Sequence, residues 1–122
     1  MPTITNLLIR IDDLSDAALD ALPWGTIQLG LDGTVLRYNA TEGRLAHRDP
    51  GAQIGRNFFT EIAPCTQVRE FHGRFADGVT AGQLSATFEF VFKFDHGWRQ
   101  VNITMMYSER TRSIWVVVHD AA

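Results

Sequence analysis

The sequence predicts an α+β domain in which a five-stranded antiparallel sheet carries helices packed on one face and an N-terminal cap. Two observations lead there. Apolar and polar residues alternate in two separated blocks, Ile27 to Leu31 and Ala86 to Phe94, and residues 40 to 81 between them break into short helical stretches. The chain order is therefore two strands, a helical middle and three strands.

Residues 1–22 read as a cap segment and residues 23–122 as a single core domain. Within the cap, Leu14 to Leu22 resembles a helix with Ser15 as its N-cap and Pro23 ending it, and Leu7-Leu8-Ile9 is a second short apolar patch. In the core, Ile27, Leu29 and Leu31 alternate with Thr26, Gln28 and Gly30 until Asp32-Gly33 turns the chain into a second strand, Thr34 to Tyr38. Gly43, Asp49-Pro50, Gly55, Pro64 and Gly73 punctuate the helical middle. Val68, Phe71, Phe75 and Val79 fall on one stripe of a helix of about four turns. Ala86, Phe88, Phe90, Phe92 and Phe94 then share one strand face, His96-Gly97 is the next turn, and residues 98–107 and Ile114 to His119 are the last strands.

Bulk composition narrows the function. The chain has 122 residues, 45% hydrophobic and 20% charged, which suits one ordered domain. Its net charge is −3 and its cations form no basic run, so nucleic-acid binding is disfavoured. No segment is long and apolar enough for a membrane span, and no leader pattern opens the chain, so a cytoplasmic location is expected. The four histidines show no metal-ligand spacing with the single cysteine, Cys65.

Cys65 stands in Ala63-Pro64-Cys65-Thr66, downstream of the polar cluster Tyr38-Asn39-Ala40-Thr41-Glu42-Gly43. A thiol, a phenol and a carboxyl amount to one attachment point and two hydrogen-bond donors, a combination suited to a covalently tethered, buried anion. Taken singly, each residue has an ordinary explanation: a lone cysteine is usually a small core residue, a tyrosine after a strand an amphipathic surface side chain, a glutamate on a short helix solvated. Their joint pattern carries the inference.

The element order resembles a PAS domain, a sensory or dimerisation module whose pocket lies between sheet and helical segment. Trp24-Gly25-Thr26-Ile27-Gln28-Leu29, Tyr38 to Gly43, Arg48-Asp49-Pro50, Ile54-Gly55-Arg56-Asn57-Phe58-Phe59, Ala63 to Thr66 and Phe71-His72-Gly73-Arg74-Phe75 recur in an order and spacing similar to the photoactive yellow protein family. That resemblance implies a blue-light photoreceptor and no enzyme. It implies p-coumaric acid (4-hydroxycinnamic acid) carried as a thioester on Cys65, with Tyr38 and protonated Glu42 hydrogen-bonding its ionised phenolic oxygen and Arg48 shielding the pocket. Phe58 and Phe92 are expected to line it. Ala46 stands where the family often has threonine, and Phe90, Phe92 and Phe94 where tyrosines are frequent.

The chemistry follows from the groups. A phenol has a pKa near 10, and burial raises it further, so an ionised buried phenol depends on hydrogen bonds to the anion of roughly 1.5–3 kcal/mol each. The resemblance further implies trans–cis isomerisation, proton transfer from Glu42 and partial unfolding as the signal, with the cap the element expected to detach. Downstream signalling proteins or C-terminal sensor-kinase modules are the implied partners. Two other readings fit the same residues: a pigment-free PAS module for ligand sensing or dimerisation, and a thiol hydrolase with Cys65 as nucleophile.

Overall fold

The alternating blocks become five strands in the computed structural model, which describes residues 4 to 120. They are β1 (Gly25–Gly30), β2 (Val35–Tyr38), β3 (Ser85–Phe94), β4 (Gly97–Ser108) and β5 (Ser113–Asp120). The sheet order is β2-β1-β5-β4-β3, with every neighbouring pair antiparallel. The chain thus leaves one edge after β2 and re-enters at the opposite edge as β3, and the helical middle is the connection. Residues 1–3 of the expected cap and 121–122 of the expected core lie outside the described residues.

Turn chemistry fixes the β1–β2 hairpin. Asp32 Oδ1 accepts a hydrogen bond from Thr34 N at 2.9 Å, and Gly33 takes a φ of 89°, a region closed to most side chains. The β3–β4 turn is Asp95-His96, with Phe94 paired to Gly97, one residue earlier than the spacing suggested.

Two helices precede the sheet, α1 (Ile4–Arg10) and α2 (Asp16–Asp20). The Ser15 side chain accepts from Ala18 N, the N-cap that the sequence pattern predicts. The middle contains α3 (Ala40–Ala46), α4 (Pro50–Gln53) and α5 (Arg74–Ala81), with wide turns at Phe58–Ile62 and Arg69–Gly73 and a 3₁₀ turn at Pro64–Thr66. Two details depart from the sequence reading. Gly43 does not interrupt a helix but lies inside α3, where a Cβ would stand 2.6 Å from Pro50 Cγ and 2.8 Å from Arg48 O. It is small so that the following chain can fold back against the helix. Val68 is exposed and off the helical stripe, because the helical run starts only at Arg69; Phe71 and Phe75 carry the burial.

Alternation along β5 divides the protein into two cores. Ile114, Val116 and Val118 face the helical middle, packed with Ile27, Leu29, Phe58, Phe71, Phe92, Ile103 and Met105. Trp115 and Val117 face the other way, against Leu7, Ile11 and Leu19 of the cap. The cap is therefore not merely appended: it covers the outer face of the sheet and has a buried apolar contact of its own. A polar clasp reinforces it. Asp12 accepts hydrogen bonds from Trp115 Nε1 at 2.7 Å, Ser108 Oγ at 2.5 Å and Thr111 Oγ1 at 3.3 Å.

Replacing Asp12 with Ala leaves the indole N–H of the fully buried Trp115 without its partner, at a cost of about 1–3 kcal/mol. Urea unfolding of Asp12→Ala is expected to show that loss together with a red-shifted tryptophan emission. Asp13→Ala, which removes only an exposed pair with Arg110, leaves the midpoint unchanged. Equal midpoints for Asp12→Ala and the parent would show that the clasp does not hold the cap.

Candidate functional site

Tyr38 and Glu42 are brought together because β2 ends where α3 begins. Tyr38 is the last residue of β2, Asn39 is the N-cap of α3, and Glu42 lies in the first turn. Asn39 Oδ1 accepts from Glu42 N at 3.0 Å and from Thr26 N at 2.9 Å. Its Nδ2 donates to Leu19 O at 2.8 Å and to Trp24 O at 3.0 Å. A buried primary amide has two donors and two acceptor sites, and all four are used.

Glu42 is 3% exposed, and its carboxyl lies on Gly25 of β1, where a Cβ would come within 2.0 Å of Oε1. Any larger residue at position 25 would fill the space that the carboxyl occupies. The ionic partner of Glu42 is Arg99, a residue the sequence reading did not single out: its Nη1 lies 3.2 Å from Oε1 and 3.3 Å from Oε2. Arg99 pairs with Phe92 in the β3–β4 register. By alternation it shares the inner face with Val101, Ile103 and Met105, all buried in the main core. That same alternation, read in the sequence, was the signal that could have found it.

Burial pushes the Glu42 carboxyl up to about 7, with the Arg99 guanidinium pulling in the opposite direction. Tyr38, 6% exposed, is held well above the ordinary phenol range, first by burial and then by the nearby Glu42; Arg48 and Arg99 offset part of this. Tyr38 is therefore a hydrogen-bond donor at neutral pH, and Glu42 is close to the balance between acid and carboxylate.

Arg48 follows His47, which ends α3 with a left-handed φ of 57° and stacks on His96 at 4.0 Å between ring centroids. Arg48 Nη2 donates to Ile62 O at 2.8 Å, linking the end of α3 to the turn that leads to Cys65. Ala46 is buried at the last position of α3.

Cys65 sits in the Pro64–Thr66 turn, which Thr66 Oγ1 closes by donating to Ala63 O at 2.6 Å. The thiol is half-buried and accepts from Lys93 N at 3.4 Å. Because β3 is an edge strand, its outward N–H groups have no ladder partner, and one of them meets this sulfur. Cys65 lines an open groove of about 480 Å³ together with Val68, Glu70, Lys93 and Trp98, among others. Tyr38 and Glu42 do not line that groove. What joins the thiol to Tyr38 is the main core: Tyr38, Phe58, Ile62, Ala63 and Phe92 pack in one cluster, and Cys65 packs against it. Phe58 and Phe92 are 2% and 1% exposed, each in ring contact with Phe71. Among the described residues no cluster of three His, Cys, Asp or Glu could hold a metal ion, and no helix is long and apolar enough to cross a membrane.

Comparison with known proteins adds to this geometry. A family model described as the PAS fold matches residues 14–121. The photoactive yellow protein of Rhodothalassium salexigens is 46% identical over 106 residues, covering 87% of this chain and 85% of that protein. That of Halochromatium salexigens is 42% identical over 106 residues, with the same coverage of 87% and 85%. Among solved structures, the photoactive yellow protein domain from the sensor histidine kinase Ppr of Rhodospirillum centenum superposes with a TM-score of 0.87 at 48% identity, covering 91% of this chain and 97% of that domain.

A raised acid makes stability depend on pH with a definite sign. The folded Glu42 holds its proton up to about 7, whereas the unfolded carboxyl loses it near its ordinary value of 4.5. Its contribution is therefore complete below 4.5 and is lost as pH rises through 7, by up to about 3 kcal/mol. Chemical denaturation of parent and Glu42→Gln across this window checks it: the parent's stability falls relative to the variant's as pH rises. Parallel curves would show that Glu42 keeps an ordinary carboxyl affinity.

Proposed function

Since the chain belongs to the photoactive yellow protein family of PAS-fold sensory domains, which are not enzymes, we propose that it is a blue-light photoreceptor carrying p-coumaric acid as a thioester on Cys65 Sγ. The observation that carries the reading is that buried Tyr38 belongs to the core against which Cys65 packs, with the buried Glu42 carboxyl near enough to act on its phenol. The donor set fits an anionic phenolic group. Tyr38 keeps its proton because burial raises its phenol, and Glu42 is raised far enough to carry one at neutral pH. When bound, the pigment supplies absorption of blue light and a trans–cis change of shape.

Tyr38 Oη and a protonated Glu42 Oε serve as hydrogen-bond donors to the phenolic end. Two such bonds to an anion contribute roughly 1.5–3 kcal/mol each, enough to offset the desolvation that otherwise keeps a buried phenol neutral. Phe58 and Phe92 exclude water, and Arg48, by holding Ile62 O, fixes the turn that leads to Cys65. Ala46, without a hydroxyl, gives Tyr38 no additional partner of the kind a threonine would supply.

After illumination Glu42 would give up its proton to the phenolic oxygen it faces. Ionised at 3% exposure, it perturbs α3, whose N-cap Asn39 also holds Leu19 O of the cap. Loosening of residues 1–22 from the 23–122 core is the signal in this reading, and a downstream signalling protein or appended kinase module is its receiver. The Rhodospirillum centenum relative is a domain of a sensor histidine kinase, which is the arrangement this supports.

Unloaded protein supplied with an activated p-coumaroyl thioester is expected to gain the mass of one acyl group, become yellow at pH 7 and bleach reversibly in blue light. Cys65→Ala gains neither mass nor colour. A Glu42→Gln variant keeps the pigment but loses the proton uptake that follows a flash. An unmodified Cys65 after the same treatment would favour a pigment-free PAS module instead.

A further inference from the structure

Arg99 differs from the other cations around the site. Lys93 Nζ lies outside, 5.1 Å from the centroid of the exposed Trp98 ring, and Arg48 is committed to the Ile62 carbonyl. Arg99, 19% exposed at its side chain, points from the inner face of β4 at a carboxyl that is 3% exposed. A single nitrogen, Nη1, reaches both carboxyl oxygens, at 3.2 and 3.3 Å. These separations exceed the roughly 2.7–2.9 Å of a fully developed guanidinium–carboxylate contact, so the pair has room to tighten. The groups facing Glu42 are Tyr38 from β2 and Arg99 from β4, with Arg48 acting on Tyr38 from the loop after α3.

We propose that Arg99 is a positioning residue of the light response: its guanidinium receives the ionised Glu42 carboxylate and holds it, delaying the return of the proton. The role in the light response rests on the proposed function; the charge pairing itself does not. The bond that breaks is the O–H of Glu42, and its proton goes to the phenolate oxygen that Glu42 faces in that function. While Glu42 is an acid, Arg99 has only a neutral acceptor before it. Once the proton leaves, both members are ions, and separating them would strand a carboxylate that is 3% exposed without its counter-charge. The charge created by light is thus met by a cation already in place, and the lifetime of the proton-depleted state follows the strength of that pair.

The pairing is tested in unloaded protein by following the Glu42 side-chain carbon by NMR against pH. Arg99→Gln is expected to move the Glu42 midpoint upward by about one unit or more, while Arg99→Lys, which keeps the charge, stays nearer the parent. An unchanged midpoint in a folded Arg99→Gln protein overturns the proposal. Should that variant not fold, the parent decides: the Arg99 side-chain nitrogens must shift with the same midpoint as Glu42, and indifference to it overturns the pairing. In pigment-loaded protein, recovery after a flash is expected to be about tenfold faster in Arg99→Gln, one unit of proton affinity being a factor of ten. Equal recovery rates remove the role in the light response. Failure of Cys65 to take up pigment would sink the proposed function and the role in the light response with it, and leave the charge pairing to the unloaded titration.

Discussion

A single buried amide, that of Asn39, is the constraint on which the arrangement depends. Its oxygen fixes the first turn of α3 through Glu42 N and the start of β1 through Thr26 N, and its nitrogen ties Leu19 O and Trp24 O of the chain entering the sheet. Cap, sheet and helix therefore meet at one side chain with no exposed surface. An amide so placed cannot lose one partner cheaply, because a buried unsatisfied polar group costs about 1–3 kcal/mol. The geometry of Glu42 is inherited from it: with the Glu42 backbone N–H pinned, the carboxyl is directed onto Gly25 and towards the inner face of the sheet.

From that position the electrostatics follow. Burial alone would leave Glu42 a neutral acid, and Arg99 alone would hold its carboxyl below the ordinary range. Set against each other, they leave it titrating near neutrality, where a small change in its surroundings shifts the proton. Tyr38, subject to the same burial, has no such balance, because Glu42 and desolvation act on it in the same direction and the two arginines only offset them. The two donors are consequently unequal: one is fixed as a donor, the other is poised to change state.

How much of this was legible in the sequence depends on whether a feature is written in local periodicity. Phe88 to Phe94 gave their strand face directly, and Asp32-Gly33 and Ser15 gave a turn and a cap, because each rule is satisfied within a few residues. Tyr38 and Glu42 were legible as neighbours since Asn39 joins a strand to a helix over a short span. Gly43 was misread as a break, since its role is to admit Pro50 and the Arg48 carbonyl, which tertiary folding brings close. Val68 was misplaced because an apolar stripe extrapolates past the true start of a helix. Arg99 and Asp12 escaped notice for a shared reason: each is a charged side chain whose partners lie far along the chain, 57 residues for Arg99 to Glu42 and 103 for Asp12 to Trp115. Charge in a sequence reads as solvated surface unless the phase of its strand, as for Arg99, or a tertiary contact, as for Asp12, shows which way it faces.

The two-core arrangement explains why events at Glu42 need not remain local. β5 is shared: Val116 and Val118 press on the core containing Tyr38 and Phe92, and Trp115 and Val117 between them press on the cap. Because side chains of a strand alternate between faces, the strand cannot shift towards one core without changing its packing on the other. β5 lies between β1, which underlies Glu42, and β4, which carries Arg99. A change in the Glu42–Arg99 separation therefore acts on both neighbours of the strand that the cap clasps through Asp12 and Trp115. Asn39 supplies a second connection, through Leu19 O, that bypasses the sheet. Cutting one connection leaves the other: the cap is joined to the site through the sheet, by the apolar contact with Trp115, and through the helix N-terminus, by the Asn39 hydrogen bond to Leu19 O.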